Sequence, residues 1–135
     1  MLTKSYLQGL SYRIIGCAIE VNKQLGPGLL ESVYQMCFME EMKQQGLEFK
    51  SQIYVHVIYK DKNLGGVLKI DLLVENEIII ELKAVETMIP LYNAQLLSYL
   101  KLACKSKGLL INFNCEKIKE QITSLVTEDF RNLPE

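Results

Sequence analysis

The stretch that decides the fold is Asp71-Leu-Leu-Val-Glu-Asn-Glu-Ile-Ile-Ile-Glu-Leu-Lys83. It begins with an acid, continues as two short apolar segments separated by a polar turn, and ends in Glu81-Leu82-Lys83. This pattern predicts a β-hairpin. Two carboxylates and one ammonium group stand inside segments whose other residues belong in a core. Because a charge buried without a partner is costly, we expect these three groups to act together.

The length of the turn decides whether Asp71 and Glu81 meet. Side chains alternate along a strand, so Glu81 and Lys83 share one face of the sheet. A three-residue turn, either 75–77 or 74–76 with Asn76 left-handed, places Asp71 opposite Glu81 or diagonal to it. A two-residue turn would place Asp71 on the other face. Because Asn tolerates positive φ, we predict the three-residue turn.

The acids of this hairpin are typical of a metal site. Two ionised carboxylates facing each other across one strand pair repel strongly. A Mg²⁺ or Mn²⁺ ion would remove that repulsion, since such ions bind oxygen ligands together with water and substrate phosphate. Lys83 would then orient an attacking water or stabilise the charge that grows on a phosphoryl group. The alternative is an exposed sheet face with an ordinary cross-strand ion pair, but the flanking Ile, Leu and Val runs favour the metal site.

A predicted helix adds a third acid. Glu31 shares a helical stripe with Tyr34, Phe38 and Met42, so it lies on the face that packs inward. The helix dipole alone would favour an acid in the first turn, but it does not explain a place on the apolar stripe. We therefore interpret Glu31 as a carboxylate directed at the metal, either directly or through water.

Another predicted helix carries Gln95 and Tyr99, which are four residues apart and therefore lie on one face. The two side chains either line a cleft or face solvent, and periodicity leaves both possibilities open. A separate apolar stripe predicts the core face of this helix, namely Leu96, Leu97, Leu100 and Cys104.

The remaining periodicities give the order ααβββαβ, followed by a tail. The predicted helices cover 5–25, 30–45 and 90–104, and the predicted strands cover 52–59, 67–74, 77–84 and 108–113. A turn is predicted at 61–63, and the tail at 118–126 is typical of either an edge strand or a short helix. This order predicts an α/β fold, with a central mixed sheet flanked by helices. The length of 135 residues indicates one domain over 1–135.

Composition narrows the function classes. The formal net charge is −1, so the chain as a whole lacks the electrostatic footprint of a nucleic-acid-binding protein. No segment is long enough to span a bilayer, and the first residues lack a signal-peptide pattern. The cysteines form no C-x-x-C pair, which predicts reduced, buried thiols, a cytoplasmic location and no zinc site. They are Cys17, Cys37, Cys104 and Cys115.

Taken together, these features resemble the PD-(D/E)XK nuclease superfamily and, more narrowly, its GxxExxY family. The resemblance covers about residues 10 to 114, and four motifs in a consistent order are a specific signal. Ile70 stands where the superfamily's name has a proline. The four motifs are Gly28-x-x-Glu31-x-x-Tyr34, Asp71, Glu81-x-Lys83 and Gln95-x-x-x-Tyr99, the last of which is similar to a motif of the RecB-like branch.

The resemblance implies a restriction-endonuclease-like core and assigns roles within it. The implied metal ligands are Glu31, Asp71, Glu81 and the backbone carbonyl of Leu82. The other implied catalytic residues are Lys83, which would assist the water, and Gln95 and Tyr99, which would steady the site and the bound strand.

The expected function is Mg²⁺- or Mn²⁺-dependent hydrolysis of DNA phosphodiester bonds. Small nucleases often use two subunits to reach two strands, which makes a homodimer the expected assembly if one forms. The alternative is a catalytically silent nuclease fold that binds nucleic acid or a protein partner.

Overall fold

The computed structural model describes residues 1–135, and its centre is a five-stranded mixed sheet. β3 and β4 are parallel, and every other neighbouring pair is antiparallel. The strands lie in chain order, as β1 (Phe49–Tyr59), β2 (Lys62–Val74), β3 (Ile78–Lys83), β4 (Lys107–Asn112) and β5 (Ile122–Val126). The predicted fold class, a mixed sheet flanked by helices, is confirmed.

Each helix begins or ends where local chemistry predicts. Thr3 caps the first helix by accepting the backbone N–H of Tyr6 at 3.0 Å. Gly46, with φ 76°, follows the end of the second. Pro90 opens the third at its first position. The helices are α1 (Lys4–Leu25), α2 (Glu31–Gln44), α3 (Pro90–Ala103) and a short α4 (Glu128–Arg131).

The helices cover the sheet on both faces. α1 and α2 pack on one face, where 19 buried residues form the main core. α3 packs on the other through Leu96 and Leu100, which contact Ile79 and Leu110 in a smaller cluster. The larger core therefore lies under α1 and α2, while the smaller cluster under α3 includes side chains from all five strands. No helix has the length and apolarity that crossing a bilayer requires.

The first hairpin turn lies one residue earlier than the sequence predicts. Tyr59 pairs with Lys62, so the turn is Lys60–Asp61 rather than 61–63. Both residues have positive φ, 49° and 64°, which is the conformation of a two-residue turn that matches the twist of the strands. Gly65, which precedes the predicted strand 67–74, lies inside β2 because the hairpin is longer than predicted.

The predicted core stripe of α3 is wrong at its end. Leu96 and Leu100 are buried, but Cys104 is exposed because it takes the left-handed conformation, φ 57°, that ends the helix. The expectation of four buried thiols is also wrong, since Cys17 alone is buried. The tail contains both predicted alternatives, a 3₁₀ turn at Ile118–Gln121 followed by the edge strand β5.

The contact between α3 and β4 gives a testable prediction. A Cβ added at Gly108 would lie 3.0 Å from Cδ1 of the buried Leu96. Gly108→Ala is therefore expected to lower the free energy of unfolding by about 1–3 kcal/mol through overpacking, measured by urea denaturation.

Gly16→Ala is the matched control for that substitution. Gly16 lies in α1, and a Cβ there would contact nothing within 4 Å. Alanine at this position should raise stability by roughly 0.5–1 kcal/mol, because it removes backbone entropy from the unfolded chain. A neutral or stabilising Gly108→Ala would contradict the close packing of α3 on the sheet.

Candidate active site

The two acids of the hairpin meet where β2 leaves β3. The strands pair over three residues each, with Val74 opposite Ile78, so the connecting turn is 75–77. The predicted three-residue turn is therefore confirmed. Continuing this register by one step places Asp71 directly opposite Glu81, just beyond the last paired residues.

Asp71 and Glu81 each hold the backbone of the other's strand. The N–H of Asp71 donates to Oε1 of Glu81 at 3.2 Å, and the N–H of Leu82 donates to Oδ2 of Asp71 at 2.9 Å. The side chains thus replace the ladder bonds that a continued pairing would supply. Glu81 is buried and Asp71 is half-buried. Both carboxylates are therefore fixed by backbone rather than by flexible partners.

The backbone is irregular at the same level of the sheet. Gln52 of β1 lies between the residues that pair on either side of Asp71, and its φ is 53°. Leu72 belongs to the core under α1 and α2, whereas Ile70 belongs to the cluster under α3. β2 therefore rotates around Asp71. A positive φ at a residue other than glycine costs free energy, so the surrounding packing must impose this rotation.

The carboxylates of Asp71 and Glu81 form no ion pair with a cationic side chain. Burial, and then the neighbouring charge of Asp71, raise the pKa of Glu81 from 4.5 to about 8; the Asp71 N–H and Lys83 offset only part of this. The ion pairs of the structure lie elsewhere, Lys4–Glu135 and Arg131–Glu128. The ordinary cross-strand ion pair that the sequence also allowed is thus not formed.

Lys83 instead lies against an aromatic ring. Its Nζ atom is 4.4 Å from the ring centroid of Tyr92, in the first turn of α3. Tyr92 is a site residue that the sequence pattern indicates but that was not predicted. Tyr92 precedes Gln95 by three residues and Tyr99 by seven, so all three share one helical face.

Glu31 is the first residue of α2, and its side chain is exposed. Tyr34, Phe38 and Met42, which the helical phase predicts to be inward, are all fully buried. Partial burial of the carboxyl group, and then the charge of Asp71, raise the pKa of Glu31, while Lys83 acts in the opposite direction. Glu31 therefore lies close enough to interact electrostatically with Asp71 and with Lys83.

The loop before α2 is held by specific hydrogen bonds. The Tyr34 hydroxyl donates to the carbonyl of Gly26 at 2.6 Å and accepts the N–H of Leu29 at 3.2 Å. The N–H of Gly28 donates to Oδ1 of Asn114 at 2.9 Å, and Gly28 has φ 101°, a conformation that favours glycine. These contacts explain the spacing of the Gly-x-x-Glu-x-x-Tyr motif, because its glycine and tyrosine position the loop that delivers the glutamate.

Tyr99, on α3, places its hydroxyl group near Asp71 and Glu81. Burial, and then the charges of Glu81 and Asp71, raise the pKa of Tyr99, so its hydroxyl keeps its proton beside the acids. Gln95, one turn earlier, is exposed, and its side chain makes no hydrogen bond within the protein. Tyr99 is therefore half-buried and close enough to the acids for their charge to affect it, whereas Gln95 faces solvent.

Comparison with known families agrees with this geometry. A family model described as the PD-(D/E)XK nuclease superfamily matches residues 8–125. The chain belongs to this superfamily. Comparisons with curated proteins and with solved structures found no match. Membership of the PD-(D/E)XK superfamily indicates a nuclease, and hence a protein that engages nucleic acid.

The donor set of this PD-(D/E)XK site suits a hydrated divalent cation. No group of three or more His, Cys, Asp or Glu side chains is close enough to surround a metal ion, so Glu31 does not complete a cluster with Asp71 and Glu81. Mg²⁺ usually takes one or two carboxylates and fills its other positions with water and phosphate oxygens. Two fixed oxygen donors with excess negative charge meet that requirement.

The structure adds one positioning residue that the sequence analysis overlooked. Asn112 is buried at the end of β4, directly beside Lys83 in the parallel register. Its side chain accepts from the N–H of Val85 and donates to the carbonyl of Val85, at 3.1 and 3.0 Å. It therefore holds the backbone segment that follows Lys83. An amide inside an otherwise apolar strand was the available signal.

The acid pair predicts how stability depends on pH. In the unfolded chain Glu81 ionises near its ordinary pKa of 4.5, whereas in the folded, metal-free protein its pKa is about 8. Between these values the folded state holds a proton that the unfolded state has released, so the free energy of unfolding should fall as pH rises and should level off above pH 8. Glu81→Gln should remove this decline, as measured by urea denaturation in EDTA.

Glu86→Gln is the matched control, because Glu86 is an exposed acid shortly after the same strand. It should leave the decline in place. If the free energy of unfolding of Glu81→Gln fell with pH as it does in the wild type, the ionisation of Glu81 would not be the cause of the decline.

Proposed function

We propose that this chain is a Mg²⁺- or Mn²⁺-dependent nuclease that hydrolyses DNA phosphodiester bonds. The observation that carries the proposal is the pair of fixed carboxylates, Asp71 opposite Glu81, without a cationic partner. The motif Gly28-x-x-Glu31-x-x-Tyr34 supports a place in the GxxExxY family, and Gln95 with Tyr99 supports the RecB-like branch. We also propose one domain over 1–135, since both apolar clusters pack on the same sheet.

Asp71, Glu81 and the backbone carbonyl of Leu82 would hold the metal. The N–H of Leu82 points to Asp71, and in an extended strand the C=O of a residue points to the same side as its N–H. This direction supports the carbonyl as a ligand. Glu31 would contact the ion through water, because its side chain stands outside the pair. When bound, the ion would supply Lewis-acid stabilisation of the phosphate and a more acidic water.

The other residues would bind the substrate and the attacking water. Lys83 is held beside Tyr92 and makes no ion pair, so its ammonium group is free to donate to a phosphate oxygen or to water. The protonated hydroxyl of Tyr99 would donate a hydrogen bond from the α3 side of the acid pair. Gln95, exposed one helical turn earlier on α3, would offer its amide to the nucleic-acid strand.

Loss of cleavage in single-residue variants tests the proposal. Asp71→Asn keeps the shape of the side chain while removing its charge, and Lys83→Gln replaces the ammonium group by a shorter neutral amide. Each should lower cleavage of a labelled DNA oligonucleotide by roughly 100-fold or more in Mg²⁺ or Mn²⁺, as measured on denaturing gels.

The matched controls for cleavage are Asp129→Asn on α4 and Lys43→Gln in the last turn of α2, at the end opposite Glu31, both exposed. Each should cleave like the wild type. Equal cleavage by the wild type and by both site variants would identify a contaminating nuclease and would overturn the proposal.

Metal binding is tested separately by calorimetric titration with Mn²⁺. The wild type should bind Mn²⁺, and Asp71→Asn should weaken binding by at least about 10-fold, because it removes a charged ligand. Asp129→Asn should bind like the wild type. Absence of Mn²⁺ binding to the wild type, together with metal-independent DNA binding, would favour the catalytically silent alternative.

A further inference from the structure

Beyond the site, the β1–β2 hairpin extends into solvent. We call residues 52–69 the distal hairpin; it contains the outer parts of both strands and the Lys60–Asp61 turn. On one of its faces Ile53 and Val55 pack toward the cluster under α3. The opposite face carries Tyr54, His56 and Ile58 of β1, all exposed. Near Asp71 one face is therefore held by the fold and the other is open, whereas from 58 to 67 both faces of the hairpin are exposed.

The distal hairpin is positively charged in an otherwise acidic molecule. It carries Lys60, Lys62, Lys69 and His56 against the single acid Asp61, and all five are exposed. The formal net charge of the chain is −1, so the rest of the molecule is net negative. The distal hairpin is therefore a basic surface, although the net charge of the whole chain is slightly negative.

Aromatic rings alternate with these cations. Tyr54 is 62% exposed and lies directly across from Lys69 in the register. Tyr59 is 59% exposed, lies across from Lys62, and has the Lys60 Nζ atom 5.5 Å from its ring centroid. By the alternation of β1 it lies on the face of Ile53 and Val55, beyond the part that packs toward α3. Each exposed tyrosine thus has a lysine beside it. Aromatic platforms interleaved with cations are typical of surfaces that bind unpaired nucleic-acid strands.

The distal hairpin is continuous with the acid pair. Lys69 lies two residues before Asp71 on β2, which is about 7 Å along the strand. Lys62 lies nine residues before Asp71, or about 30 Å. A nucleic-acid strand that follows the hairpin from Tyr59 near the turn to Tyr54 and Lys69 would therefore come close to the carboxylates.

We propose that the distal hairpin binds an unpaired nucleic-acid strand and guides it to the site at Asp71 and Glu81. Tyr54 and Tyr59 stack on bases, while Lys60, Lys62 and Lys69 contact phosphates. This inference rests on the proposed nuclease function for its biological purpose, but the binding itself needs no cleavage. A duplex is the less suitable occupant, because its stacked bases would not be available to the two tyrosine rings.

The test measures binding without catalysis. The full chain is titrated in EDTA against a fluorescein-labelled oligothymidylate of about 20 nucleotides and, separately, against a duplex of equal length, with fluorescence anisotropy as the readout. The variants are Tyr54→Ala with Tyr59→Ala, Tyr54→Phe with Tyr59→Phe, and Lys60→Gln with Lys62→Gln and Lys69→Gln. The matched control is Tyr6→Ala with Tyr12→Ala, two exposed tyrosines on α1. Thermal unfolding of every variant verifies folding.

The wild type should bind the single strand more tightly than the duplex. The alanine pair should weaken binding by roughly 5- to 150-fold for each base that loses its stacking partner. The phenylalanine pair and the α1 control should bind like the wild type. The three glutamines should reduce the salt slope of binding by about two, since each phosphate contact on a single strand contributes about 0.7.

Two outcomes would overturn the inference: equal loss of binding in the α1 control, or unchanged binding in the alanine pair and the glutamine variant. If the wild type cleaves DNA in Mg²⁺ while the hairpin variants bind normally, the hairpin proposal fails and the nuclease proposal stands. If the hairpin variants lose binding but the wild type cleaves nothing, the hairpin proposal stands and the nuclease proposal fails.

Discussion

Two hydrogen bonds between carboxylates and backbone hold the place where β2 and β3 separate. Asp71 accepts the N–H of Leu82, and Glu81 accepts the N–H of Asp71. An unsatisfied backbone group in this partly buried position would be costly, so each acid stabilises the fold locally. The same contacts bring like charges together. The fold therefore depends on a pair of side chains whose mutual repulsion only a cation or a proton can relieve.

The surrounding elements deliver their functional groups to this point and do not neutralise it. Lys83, the obvious counter-charge, lies over the ring of Tyr92 rather than on a carboxylate. Glu31 adds another negative charge from the N-terminal end of α2. A structure selected for stability alone would pair these groups, and local conflicts of this kind are typical of functional sites. The arrangement suits a superfamily whose chemistry takes place on phosphate.

Several site features follow from local rules, and others arise only when segments meet. The three-residue turn was predictable from Asn76, because asparagine tolerates positive φ and here has φ 59°. Glu75 also has positive φ, 50°, although glutamate rarely adopts it. The partner of Lys83 depended on how α3 lies across the sheet. The conformation of Gln52 could not be predicted, since nothing in its neighbours along the chain indicates a left-handed residue inside a strand.

The sequence by itself determined the order of the main elements, the inward face of α2 and a three-residue turn that brings Asp71 and Glu81 to the same face, because each depends on short-range patterns. The structure decided that Asp71 lies opposite Glu81 rather than diagonal to it. Tertiary structure decided which groups are paired, how far each is buried, and where the hairpin turns. It also gathered dispersed lysines and tyrosines onto one exposed ribbon, although the net charge had indicated no basic surface. These properties depend on contacts between distant segments, and local spacing contains no information about such contacts.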